Sequence, residues 1–116
     1  MKVLVVNPGA TSTKVALFDD EKQVFKQTIE HDIKEIARFA GIRDQLDMRL
    51  DAIMKELAQD GVKHLDAVCG RGGLMRHIPS GTYTVNENML KDAYEEPFGS
   101  HASNLGPRLA YAIAGK

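Results

Sequence analysis

The sequence predicts an α/β domain in which a three-strand antiparallel meander is joined to a parallel strand by crossover helices. Three observations carry that prediction. Two short apolar runs, Val3-Leu4-Val5-Val6 and Val15-Ala16-Leu17-Phe18, flank a polar turn. Leu46, Leu50, Ile53, Met54 and Leu57 then recur at spacings of three and four, the mark of one helical face. A further apolar run, Leu65-Asp66-Ala67-Val68-Cys69, follows that helix. A strand that returns after a helix pairs in parallel with an earlier one.

Residues 2–6 read as a buried strand because the run is continuous and rich in valine. Residues 13–18 read as a second strand. Asp19-Asp20-Glu21-Lys22 turns the chain, and Gln23 to Ile29 reads as a third. From about Asp32 to Gly61 the pattern is helical, with Gly41 dividing it into a short and a longer helix and Gly61 ending it. Asp44, Arg49, Asp51, Lys55, Glu56 and Asp60 fall on the solvent side of this reading. Leu74 to Val85 reads as a hairpin turning at Pro79-Ser80-Gly81. Asn86 caps a helix that runs to about Tyr94, and a last helix from about Ser103 keeps Pro107 in its first turn. This order makes up most of a ribonuclease-H-like domain. The strand expected after the last helix is absent, so the domain reads as incomplete at its C-terminus.

Composition narrows the function. With 116 residues, 43% of them hydrophobic and 27% charged, a packed domain is expected rather than disorder. A net charge of −1 and the lack of a basic stripe give no electrostatic basis for binding nucleic acid. No apolar stretch approaches membrane-spanning length or forms a signal peptide. Cys69 is the single cysteine, so no intrachain disulfide is possible, and a cytoplasmic protein is expected. Cys69 itself reads as a buried strand residue. The four histidines show no zinc-ligand spacing, and His31, His64 and His77 read as surface or packing residues.

Three segments carry chemistry. The first is Asn7-Pro8-Gly9-Ala10-Thr11-Ser12-Thr13-Lys14, between the first two strands. Gly9 admits close approach of an anion, turn N–H groups can point outward, hydroxyls add donors, and Lys14 adds a charge. It is neither a Walker A loop nor a Rossmann fingerprint, since a strand follows it and the glycine spacing is wrong. A polar turn that only links two strands is the competing reading. The second is Gly70-Arg71-Gly72-Gly73, at the C-terminal end of the parallel strand, where ligands gather in open α/β sheets. Arg71 offers a planar fork to a carboxylate or phosphate; a glycine-rich turn with a surface arginine is the alternative. The third is Ser100-His101-Ala102-Ser103-Asn104, ahead of the last helix. A histidine there can donate to a phosphoryl oxygen, while plain capping by Ser100 or Ser103 is the simpler reading.

Taken together and in this order, these segments resemble the acetate and butyrate kinase family of the actin, sugar-kinase and Hsp70 superfamily. VLVVNPGATSTKVALF (3–18) is similar to the family's first phosphate-binding hairpin, and DAVCGRGGL (66–74) to the strand bearing its substrate arginine. GTYTVN (81–86) and HASNLG (101–106) resemble the butyrate branch. The resemblance implies an actin-like ATPase fold and residues 1–116 as the N-terminal domain of a two-domain carboxylate kinase whose adenosine-binding domain is absent. It implies phosphoryl transfer from ATP to a short-chain carboxylate, giving an acyl phosphate and ADP with Mg2+ as cofactor. Asn7 would lie near the metal. Gly9, Thr11, Ser12 and Lys14 would contact the nucleotide phosphates. Arg71, Gly72 and Gly73 would bind the substrate, and Arg71 and His101 would act in catalysis. Ala10 departs from the serine common in relatives. The partner is a small carboxylate, with neither nucleic acid nor membrane, and the full-length form is expected to be a homo-oligomer. Alone, the chain is expected to be inactive, and a phosphate- or nucleotide-binding remnant without turnover is the alternative.

Overall fold

The computed structural model describes residues 1–74, 79 and 81–115. Four strands form one sheet in the order β3-β2-β1-β4. Strand β1 (Lys2–Pro8) pairs antiparallel with β2 (Ser12–Asp19), and β2 pairs antiparallel with β3 (Lys22–Glu30). Strand β4 (Ala67–Gly70) lies parallel to β1, with Val3 opposite Ala67 and Val6 opposite Gly70. The meander and the parallel return therefore form as the apolar runs predict.

The predicted helical stretch resolves into three pieces. Helix α1 is a single turn, Ile33–Ile36, capped by the Asp32 carboxylate, which accepts from the Lys34 N–H at 2.9 Å. It ends five residues before Gly41. None of its residues is buried, so packing does not offset the cost of nucleating a helix. A 3-10 turn, Ile42–Gln45, then leads into α2 (Leu46–Gln59). At the end of α2, Gly61 adopts φ +73, Gly61 N–H donates to Ala58 O, and Val62 N–H donates to Leu57 O. This left-handed stop satisfies two terminal carbonyls and sends the chain toward β4.

Helix α3 (Glu87–Glu95) is capped as expected by Asn86, whose Oδ1 accepts from Met89 N–H at 2.9 Å. Ala102–Asn104 forms a second 3-10 turn, followed by α4 (Leu105–Ala114). The predicted hairpin from Leu74 to Val85 is not supported by its described residues: Leu74, Pro79 and residues 81–85 form no strand, and the remainder, including His77 and Ser80, lies outside the described residues.

The core lies between one sheet face and helices α2 and α4. Leu4, Val6 and Val15 pack against Ile53, Leu57, Leu105, Leu109 and Ile113. Strand alternation places Val3, Val5, Ala16 and Phe18 on the opposite face, where they stay half-exposed. Cys69 shares that second face and is exposed, contrary to the buried position its strand suggests, because the helices cover only one side of β4. Among the described residues no helix is long and apolar enough to cross a membrane.

Candidate phosphate and carboxylate site

The three chemical segments meet at one end of the sheet. The β1–β2 register pairs Asn7 with Lys14. The β1–β4 register ends at Val6 opposite Gly70, and the next N–H, that of Arg71, donates to Val6 O at 2.9 Å. Carried one residue further, alternation puts Lys14, Asn7 and Arg71 in a row on the face away from the helices. Lys14 and Arg71 are exposed and Asn7 is half-buried. Two cations thus flank an amide at the carboxyl end of parallel strands.

The loop between β1 and β2 is tied down from behind. Gly9 N–H donates to Ser12 O at 2.7 Å, so this N–H is used inside the turn rather than offered outward. Thr11 O accepts from His31 N–H at 2.9 Å. Ala10 O and Ser12 O accept from Arg49 Nη2 and Nη1 at 3.3 and 3.1 Å. The N–H groups of Ala10 and Thr11 have no partner among the described residues, and both residues are exposed. These two donors, with the hydroxyls of Thr11 and Ser12, are what the loop presents to an anion.

Arg49 is the residue that sequence reasoning placed in solvent. Its side chain is fully buried, and so is that of Gln45 at 3% exposure. The innermost row of this helical segment is Gln45, Arg49, Ile53 and Leu57, with Leu46, Leu50 and Met54 half-buried beside it. Arg49 lies four residues before Ile53, and that spacing was the available signal. Thr13 Oγ1 accepts from Arg49 Nη1 at 3.3 Å and lies 2.8 Å from His31 Nε2. Because the Thr13 oxygen accepts from Arg49, its hydroxyl proton is free to bond a neutral His31 ring. Burial, and then the Arg49 charge, hold His31 below the usual histidine range. Burial likewise lowers Arg49 itself.

The Arg71 strap is positioned by a different device. Gly70 and Gly106 face each other so closely that a Cβ on Gly70 would strike the Gly106 carbonyl, and one on Gly106 would lie 2.5 Å from Arg71 O. Gly72, at φ +84, lies against Ser103: a Cβ there would lie 2.9 Å from Ser103 Cβ. Asn104 is buried, accepts from Leu74 N–H at 2.7 Å, and donates to Gly99 O at 3.0 Å. The segment before α4 is therefore clamped onto the strap.

His101, not Ser100 or Ser103, caps this segment. Its Nδ1 accepts from Ser103 N–H at 3.0 Å, with Ser103 Oγ 2.8 Å away. An accepting Nδ1 assigns the ring proton to Nε2, which is the donor needed to approach a phosphoryl oxygen.

Beside the row lies a groove of about 1000 Å³. Arg71, Gly72 and Gly73 line it, and Val3, Val5, Val85 and Met89 supply apolar walls. Asn7, Gly9, Thr11, Ser12, Lys14 and His101 do not line it. Of the residues that the sequence singles out, Arg71, Gly72 and Gly73 thus share the groove and the others stand outside its lining. For magnesium, Asn7 offers an amide oxygen and the loop its hydroxyls, and among the described residues no cluster of three His, Cys, Asp or Glu side chains could hold a metal ion. That donor set fits an ion held mainly by phosphate oxygens and water.

No family model matches the chain. Over 117 aligned residues, 99% of the chain, it is 49% identical to a protein of Coprothermobacter proteolyticus described as a probable butyrate kinase. The chain spans 33% of that protein's length. Nearly all of this sequence is therefore similar to a portion of a probable butyrate kinase.

Proposed function

We propose that the protein is an ATP-dependent kinase of short-chain carboxylates, with butyrate as the first candidate, and that this chain supplies its N-terminal, ribonuclease-H-like domain. The observation that carries this reading is that Arg71, in one row with Asn7 and Lys14, lines a largely apolar groove. A guanidinium holds a carboxylate by two parallel hydrogen bonds, and apolar walls accept its alkyl tail. Similarity to a probable butyrate kinase supports the same assignment.

In this reading the carboxylate lies in the groove, held by Arg71, with the backbone of Gly72 and Gly73 open to it. The nucleotide phosphates rest against the Ala10 and Thr11 N–H groups, the Ser12 hydroxyl and the Lys14 ammonium. A carboxylate is already ionised at neutral pH and needs no general base. One of its oxygens attacks the terminal phosphorus of ATP, an acyl O–P bond forms, and the bond to the ADP oxygen breaks. Arg71 and the His101 Nε2–H stabilise charge on the transferring group, since such transfer depends on positioning and electrostatics. Magnesium, with Asn7 at its side, would neutralise phosphate charge. The remaining nucleotide contacts would come from the adenosine-binding domain of a longer protein, whose cytoplasmic location and homo-oligomeric state belong to the same reading.

Trapping acyl phosphate with hydroxylamine tests it. The intact protein is expected to yield the hydroxamate with ATP and butyrate, whereas the 116-residue chain alone is not. Absence of product from the intact protein with every short carboxylate would remove the assignment, and turnover by the short chain would remove the need for a second domain.

A further inference from the structure

We infer that Arg49 is a positioning residue for nucleotide binding: from beneath the sheet end it fixes the Ala10–Thr11 peptide so that the Thr11 N–H faces the phosphates.

The geometry is specific. Nε and Nη2 both donate to Gln45 Oε1, at 3.1 and 2.9 Å. Nη1 donates to Ser12 O and Thr13 Oγ1, and Nη2 also donates to Ala10 O. The five N–H donors of a guanidinium therefore match five acceptor contacts. Three of these lie on the loop and its first strand residues, 36 to 39 positions away in sequence. A lysine could satisfy some of them but could not fill this planar fork. Among the described residues no carboxylate lies within ion-pair distance of Arg49. Among the described residues the guanidinium is buried without a counter-ion, held by carbonyl and hydroxyl oxygens.

A trans peptide sets its C=O and N–H in opposite directions. Turning Ala10 O inward to Nη2 sends the Thr11 N–H outward, where it has no partner among the described residues. Thr11 O is drawn inward as well, by His31 N–H. Two successive carbonyls face the interior, so the loop is an anion-facing surface before any ligand arrives. Gln45 keeps the fork in plane, and Arg49 transmits that order to the loop. Such preorganisation lowers the cost of binding without adding a direct contact.

This inference rests on the kinase reading for its ligand but not for its structural content, and the test separates the two. Arg49→Met and Gln45→Ala would be compared with the wild-type intact protein by steady-state kinetics and by amide hydrogen exchange. The KM for ATP is expected to rise about tenfold or more in Arg49→Met, the scale of one hydrogen bond to a charged group. The KM for the carboxylate is expected to move less than about twofold by the same reasoning, since Arg49 does not line the groove. Arg49→Lys should recover part of the ATP effect. Exchange at the Gly9 and His31 amides, both bonded within or onto the loop, should accelerate relative to Leu4 in the core. If Arg49→Met does not fold, Gln45→Ala carries the comparison, because it leaves the guanidinium in place and removes the acceptor of two of its bonds. An unchanged KM for ATP together with unchanged exchange at Gly9 and His31 would overturn the inference. A wild-type protein without ATP-dependent turnover would defeat the kinase reading, while the exchange data would still decide whether Arg49 orders the loop.

Discussion

Two loops converge on the site, and they are held in place by opposite means. The loop between β1 and β2 is fixed by polar reach: Arg49 and His31 extend from distant elements to grip its carbonyls. The Arg71 strap is fixed by absence of bulk: Gly70, Gly72 and Gly106 let backbone pack on backbone and on Ser103. The comparison teaches that two neighbouring loops can be held rigid by opposite means, each suited to the charged ligand proposed for it. One loop exposes its own N–H groups and must have its carbonyls occupied elsewhere. The other presents a side-chain fork and only needs its backbone held still.

The largest expected effect tests the strap. Gly106→Ala should destabilise the protein by about 3 kcal/mol or more, at the upper end of overpacking effects, because the new Cβ would meet Arg71 O and Arg71 C, both backbone atoms. Denaturant unfolding measures this, and a change below about 1 kcal/mol on that scale would show that the strap has room to retreat.

Next comes the fork itself. Arg71→Ala should leave the unfolding midpoint nearly unchanged, since the side chain is exposed. On the proposed kinase reading it should slow turnover of the intact protein roughly a hundredfold, the scale of a lost charge-stabilising donor. A near-normal rate would reduce Arg71 to a groove-lining residue and leave the proposed chemistry to the β1–β2 loop and His101.

The smallest effect sharpens the difference between the supports. The strap's supports (Gly70, Gly106, Ser103 and Asn104) carry no titratable group, whereas the loop's include His31. Burial and the Arg49 charge lower its affinity for a proton in the folded state, with Glu35 and Glu30 opposing. The unfolded chain therefore binds that proton at a higher pH than the folded one. The neutral ring's stabilising contribution is complete above the unfolded value near 6.5 and is lost as pH falls through the lower folded value. Unfolding free energy measured from pH 7.5 down to 5, on either side of that value, should fall in the wild type with a slope of less than one proton. That slope should flatten in His31→Asn. Identical slopes in the two proteins would separate His31 from the loop's stability.

Much of this architecture was legible along the chain. Val3–Val6 and Val15–Phe18 announced paired strands through continuous apolar character, Asn86 announced a helix start, and Gly61 announced a helix end. The Gly70-Arg71-Gly72-Gly73 motif stood out because glycines flanking one arginine are conspicuous in any reading frame. The one-turn length of α1 and the open face around Cys69 were not legible, since both depend on which helices cover which side of the sheet. Arg49 was misread for a related reason. A charged residue on a helix is ordinarily solvated, and its partners here are backbone carbonyls and a hydroxyl that leave no mark in composition.

The sequence by itself determined the meander, the returning strand, the longer helices and the residue types brought to the sheet end, because periodicity, turn chemistry and glycine placement act over a few residues. Only the tertiary structure decided that Lys14, Asn7 and Arg71 stand in one row and that Arg49 lies buried beneath the loop. Both results come from strand register and from a helix packing across the sheet. The contacts involved join residues tens of positions apart, and no local pattern encodes such a distance.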